Sequence, residues 1–228
     1  MTDRIRSILE QLEQTREDLL ALSDDIWLSI DHNDSQALEE GFAFKKQYND
    51  KVAAFDVLSG ELSALVQQFT AVQLDADEMN ADSSTPRGRE RKVHELDQHE
   101  PHGLEEDFTF KRPYGFQLER VAESNIKTWR RLYELFCRHL AERDPARFAG
   151  LSDDPRFITR RGNPIFSRHP QSLRSAMSLP GGLYAEVNLS ANHLRDQMKS
   201  LLDAFEIDQQ ALRLYLRQDR DAAPELSL

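Results

Sequence analysis

The side chains with the clearest chemical capacity lie between residues 160 and 199. Arg160, Arg161 and Asn163 sit in a turn-rich stretch, Arg168 and His169 follow it, Asn188, Ser190 and Asn192 surround a strand-to-helix junction, and Lys199 comes later. Guanidinium and ammonium groups bond phosphate oxygens, asparagine amides bond phosphates and purine edges, and a helix N-terminus offers free backbone N–H groups to an anion. These types together describe a nucleic-acid surface. Arg160, Arg161, Arg168 and Lys199 would hold phosphates, Asn163 and Asn192 would flank them, and Asn188 and Ser190 would lie near base edges. A plainer use of the same residues is structural, with Asn188 and Ser190 as turn and cap residues and the arginines as a solvated face.

Signatures of catalysis are missing. The chain has no phosphate-binding glycine loop, no G-x-G-x-x-G, no H-E-x-x-H and no G-x-S-x-G. Asp153, Asp154 and Glu186 are the carboxylates a metal-dependent nuclease would use, with His193 as a further partner, but Glu186 lacks the lysine that usually follows two residues later. Cys137, the single cysteine, excludes an intramolecular disulfide and a multi-cysteine zinc site, and its place on an apolar helix face marks it as a packed thiol. His94, His99 and His102 are irregularly spaced for metal ligands. The reading is of a non-enzymatic protein without cofactor or metal.

The elements that must carry these residues form an α+β domain over 108–217. Tyr114 to Glu119 alternates as a strand does, and Trp129, Leu132, Tyr133, Phe136, Cys137 and Leu140 mark one face of a helix over about 126–142. Asp144-Pro145 starts a short helix. Arg156 to Arg160 and Pro164 to Ser167 read as two strands around the turn Arg161-Gly162-Asn163. Leu183 to Val187 reads as a strand, Ser190 as the N-cap of a helix faced by Leu194, Met198, Leu201, Leu202 and Phe205, and Leu212, Leu214 and Leu216 as a last strand. The sheet is expected to be small and mostly antiparallel.

Ahead of this domain, Ile5, Ile8, Leu12, Thr15, Leu19, Leu22 and Ile26 recur at alternating spacings of three and four. After a polar break at 31–35 the pattern resumes through Leu38, Phe42, Tyr48, Val52, Phe55, Leu62, Val66 and Phe69. This is the seam of a coiled-coil-like helical hairpin over 1–73. Two helices alone have too little core, so the hairpin is expected to form a homodimer through Ile5, Leu12, Leu19, Ile26, Val52, Phe55, Leu62 and Phe69, or to dock on a protein partner. Residues 74–107, rich in Asp, Glu, Ser, Pro and Arg, read as a disordered acidic linker, and 218–228 as a tail.

The net charge of −11 hides an asymmetry. Residues 1–110 carry 10 lysines and arginines against 25 acids, a net of −15, whereas 111–217 carry 18 against 12, a net of +6. The basic domain keeps nucleic acid open as a partner. No run of 18 apolar residues and no secretory pattern is visible, so a cytoplasmic, nucleoid-associated location is expected and a membrane is not.

The stretch from Arg160 to Phe205 resembles the C-terminal DNA-binding domain of the SeqA replication-sequestration family. The likeness is carried by RRGNPIFSR, QSLR, LPGGLYAEVN and LSANHLRDQM in that order. It implies a DNA-binding scaffold in which Arg161 takes a basic-turn position and Asn188 the first position of an amide turn. Asn163 and Ser190 stand where the family has a second arginine and a second asparagine. The expectation is duplex DNA bound by a dimer; the alternative is an accessory subunit of a larger bacterial assembly, in defence or chromosome maintenance, whose α+β domain binds protein.

Overall fold

The computed structural model describes residues 1–70, 72, 92–97 and 99–217. The expected linker at 74–91 and the expected tail at 218–228 lie outside the described residues. Two long helices, α1 (Thr2–Ser29) and α2 (Ser35–Thr70), form the hairpin. Asp34 caps α2, its carboxylate accepting from the N–H groups of Gln36 and Ala37. The helices run antiparallel, with Arg16 beside Asp56 at 3.5 Å and Ser23 beside Asn49 at 3.3 Å. Tyr48 donates to the carbonyl of Leu19 and Lys45 to that of Ser23.

The seam is only partly enclosed. Val52 is buried, Ile5, Leu12, Leu19, Ile26 and Phe55 are half-buried, and Leu62 and Phe69 are exposed. α1 is docked on the C-terminal domain as well as on α2, with Arg16 bonded to the carbonyl of Val187 and Glu17 to the N–H of Trp129. Its buried residues are Leu9, Arg16, Glu17, Ala21 and Ser23, a set dominated by polar groups that apolar periodicity does not reveal.

The C-terminal domain is α+β with two small antiparallel sheets. The first has the order β1 (Pro101–His102), β7 (Leu212–Leu216), β2 (Pro113–Leu118), β3 (Val121–Glu123); the second has β4 (Phe166–Ser167), β6 (Leu183–Glu186), β5 (Ala176–Leu179). Between them run α3 (Trp129–Arg143), the short α4 (Pro145–Ala149) and α5 (Ala191–Ala204). One apolar core joins both sheets through Phe116, Trp129, Phe136, Phe166, Leu194 and Met198, with Phe116 edge-on to Phe136 at 6.2 Å. The expected helix faces are buried, Cys137 included, and burial pushes its thiol well above the usual range.

Two expectations are corrected. Residues 99–107, assigned to the linker, are built into the domain: β1 pairs with β7 through Pro101↔Tyr215 and His102↔Leu214, and Leu104 is buried. A helical turn at 92–96 precedes them and buries Leu96 against Ala122 and Tyr215, while Gly115 gives the room, since a Cβ there would lie 2.3 Å from the Glu123 carbonyl. A few isolated apolar anchors in an acidic stretch leave no period to read. The second correction concerns the strand expected at Arg156 to Arg160. Pro155–Phe157 is a turn of 3₁₀ helix, and only Ile158 bridges Pro164. Asp154 caps that turn by accepting the N–H of Arg156, and Pro155 opens it without an N–H to give a ladder, so Phe157 packs inward on Phe166 edge-on at 5.1 Å from a helical turn rather than a strand.

Candidate nucleic-acid interface

The basic turn is built by its own backbone. The N–H of Thr159 donates to the carbonyl of Asn163 at 2.9 Å, the N–H of Gly162 returns to Thr159 at 2.8 Å, and the N–H of Asn163 reaches the Thr159 hydroxyl at 3.0 Å. Gly162 sits at φ +78°, a conformation that costs a residue with a Cβ strain, so this residue type is set by the turn. The result is a closed loop that holds Arg160, Arg161 and Asn163 out in solvent. Arg168 is exposed nearby in sequence, with its guanidinium donating to the carbonyl of Ala149 at 2.9 Å.

What gives this region its character is the lack of opposing charge. Residues 155–185 contain five arginines and one histidine and no aspartate or glutamate. The two bracketing carboxylates are both engaged locally: Asp154 pairs with Arg156 at 2.6 Å, and buried Glu186 accepts the N–H groups of Arg174, Ser175 and Asn188. Arg160, Arg161 and Arg174 are exposed and pair with no carboxylate among the described residues. Glu186, with its oxygens taken by three backbone donors, acts as a loop clamp.

The amide half of the expected cluster is used differently. Ser190 stands at the N-terminus of α5 but makes no side-chain cap; it is buried, its hydroxyl donating to Asp24 of α1 at 3.0 Å and lying 2.8 Å from Nδ1 of His193. Asn192 accepts from the N–H of Phe108 at 2.8 Å and donates to Asp107 and Thr109, contacts that help hold the Asp107 carboxyl at about 2. Lys199 pairs with Glu105 at 2.8 Å. Asn188 lines a cavity of about 430 Å³ with Asp24, Lys45, Asn49, Arg174 and His193, between the hairpin and the domain. Ser190, Asn192 and Lys199 are thus engaged by Asp24, Asp107 and Glu105, while Asn188 lines the junction cavity: residue type told what each could bond, but not which partner already holds it.

Sequence reasoning missed the α1 side of this junction. Arg16, 1% exposed, donates to the carbonyl of Val187 at 3.2 Å and to Glu13 at 2.7 Å. Burial opposes its charge, and the carboxylates of Glu13, Glu17 and Asp56 more than offset that. Glu17, 4% exposed, accepts from the first N–H groups of α3, at Trp129 (2.6 Å) and Arg130 (3.3 Å), and burial raises its carboxyl to about 7. Asp18 pairs with Arg112 at 2.6 Å. The available signal was a dense run of charge on one face of α1, which reads equally well as a solvated surface.

His99 stacks on Tyr114 at 4.1 Å and His102 bonds Glu106 at 2.8 Å. Among the described residues no group of three histidines, cysteines or carboxylates could hold a metal ion, and no helix is long and apolar enough to cross a membrane. No family model, no curated protein and no solved structure matches the chain.

Proposed function

We propose that the protein is a non-enzymatic, duplex-DNA-binding protein whose contact edge is the basic turn, with Arg160, Arg161 and Arg168 on phosphates and Asn163 beside them. The observation that carries this reading is the acid-free, arginine-bearing run at 155–185, which includes the exposed, hydrogen-bonded turn Thr159–Asn163. The resemblance of Arg160 to Phe205 to the SeqA DNA-binding domain supports it from the sequence side. With Ser190 bonded to Asp24 and Asn192 engaged inside the domain, the docked molecule contacts the backbone of DNA rather than its base edges. Binding is therefore steeply salt-dependent and nearly indifferent to sequence.

Fluorescence anisotropy of the full chain with labelled duplexes tests this. Arg160→Ala and Arg161→Ala should each weaken binding severalfold and lower the salt slope by about 1. Duplexes carrying unmethylated, hemimethylated or no GATC should bind alike. Unchanged affinity in the Arg160→Ala/Arg161→Ala double variant would refute the assignment of the edge.

A second reading, an accessory subunit of a larger bacterial assembly, is favoured by the exposed apolar residues of the hairpin. It separates cleanly from the first. Under it, Arg161→Glu leaves function intact and Leu62→Asp abolishes it.

A further inference from the structure

The hairpin has two long faces, and among the described residues only one is covered. Arg16, Glu17, Ala21 and Asp24 turn α1 toward the domain. Roughly half a helical turn away lie Ile8 (50% exposed) and Leu22, continued by the half-buried Leu12, Leu19 and Ile26. On α2, Leu58 (64%), Leu62, Leu65 and Phe69 (90%) recur at four, three and four. The antiparallel register fixed by Arg16 beside Asp56 and Ser23 beside Asn49 places Ile8 level with Leu62 and Leu65. Two heptad stripes thus run side by side on the face turned away from the domain.

We infer that this outward face is covered by the same face of a second copy of the chain, giving a two-fold four-helix bundle. This goes beyond the DNA-binding reading and does not depend on it. Three observations select a second copy over other occupants. A strict three-and-four spacing is the pattern that packs against its own kind, knobs into holes, and a two-fold axis lets one stripe serve as both surfaces. The 28 residues of α1 span about 42 Å and two helices side by side are about 20 Å wide, so the whole outward face has a footprint of about 800 Å², the area per partner of a standard interface, and the apolar run Leu58 to Phe69 fills about 17 Å of its length. The stripe positions named carry no charge, although residues 1–70 hold 14 acids against 6 lysines and arginines. A basic partner would find the acids on the other faces, several of them already paired with Arg16, Arg112 and Lys45, and an anionic membrane would repel the hairpin.

Sedimentation equilibrium of the full chain at about 0.5 M salt and without DNA reads the mass directly, under conditions in which surface ion pairs are screened. The expected mass is twice that of the chain. Leu58→Lys/Leu65→Lys should halve it with the far-ultraviolet circular dichroism unchanged, because both side chains are exposed in the single copy, while Val57→Lys, off the stripe, should leave it doubled. A wild-type monomer at 50–100 µM, a larger oligomer, or a Leu58→Lys/Leu65→Lys variant that stays dimeric would overturn the inference, whatever the DNA measurements give.

Discussion

At the scale of single residues, Asn163 and Asn192 show what residue type says and what it leaves open. Both are asparagines beside cationic residues, and both read as amide contacts for phosphate or base. In the structure Asn163 is exposed in the basic turn, whereas Asn192 holds the N–H of Phe108 and the side chains of Asp107 and Thr109. Their substitutions should part accordingly. Asn192→Ala leaves a backbone donor unsatisfied and should cost about 1–3 kcal/mol, visible as a lower denaturant midpoint, with the affinity of the folded protein for DNA retained. Arg161→Ala should do the reverse, changing stability by less than about 0.5 kcal/mol while weakening DNA binding. The sequence identified the residue types able to make an interface. It could not assign partners, because Asp107 and Asp24 reach Asn192 and Ser190 from 85 and 166 residues away in the chain.

At the scale of elements, the legible parts are those whose burial follows one period. The α3 and α5 faces and the strands β2, β6 and β7 are set by apolar alternation or by three-and-four spacing, and they appear within a few residues of their expected positions. What escaped are β3 and β5, strands of three and four residues too short to show an alternation, the docking of α1, since a polar interface has no apolar period, and the entry of 99–107 into the first sheet. That polar interface carries a pH response. The carboxyl of Glu17 titrates at about 7 when α1 is docked, raised by burial, against 4.5 ordinarily; Arg16 opposes the rise and Glu13 adds to it. The docked state binds the proton more tightly, so docking is strongest below about 4.5, weakens as pH rises to about 7, and is constant above. The difference is on the order of 3 kcal/mol. Hydrogen exchange of the first turn of α3, corrected for its intrinsic pH dependence, should show less protection at pH 8 than at pH 6. Glu17→Gln, which keeps an acceptor for Trp129, should remove most of that difference.

At the scale of the whole molecule, the charge asymmetry read from composition becomes a division of surfaces. Glu13, Asp18 and Asp24 of α1 are paired with Arg16, Arg112 and Lys45, while Arg160, Arg161 and Arg174 pair with no carboxylate among the described residues. A chain with net charge −11 can therefore present a locally positive edge. Pairing two copies through the outward hairpin face would supply two such edges on one body, so that the second contact with DNA becomes intramolecular. The Leu58→Lys/Leu65→Lys variant should then bind a long duplex more weakly than the parent chain while matching it, edge for edge, on a duplex too short for two contacts. The most direct measurement of the central claim is the slope of log affinity against log salt concentration for the full chain on a short duplex that takes one edge. Contacts from Arg160, Arg161 and Arg168 predict binding at low salt with a slope of about −3, falling toward −1 in Arg160→Ala/Arg161→Ala. Absence of binding at low salt, or a slope that the double substitution leaves unchanged, would contradict the account.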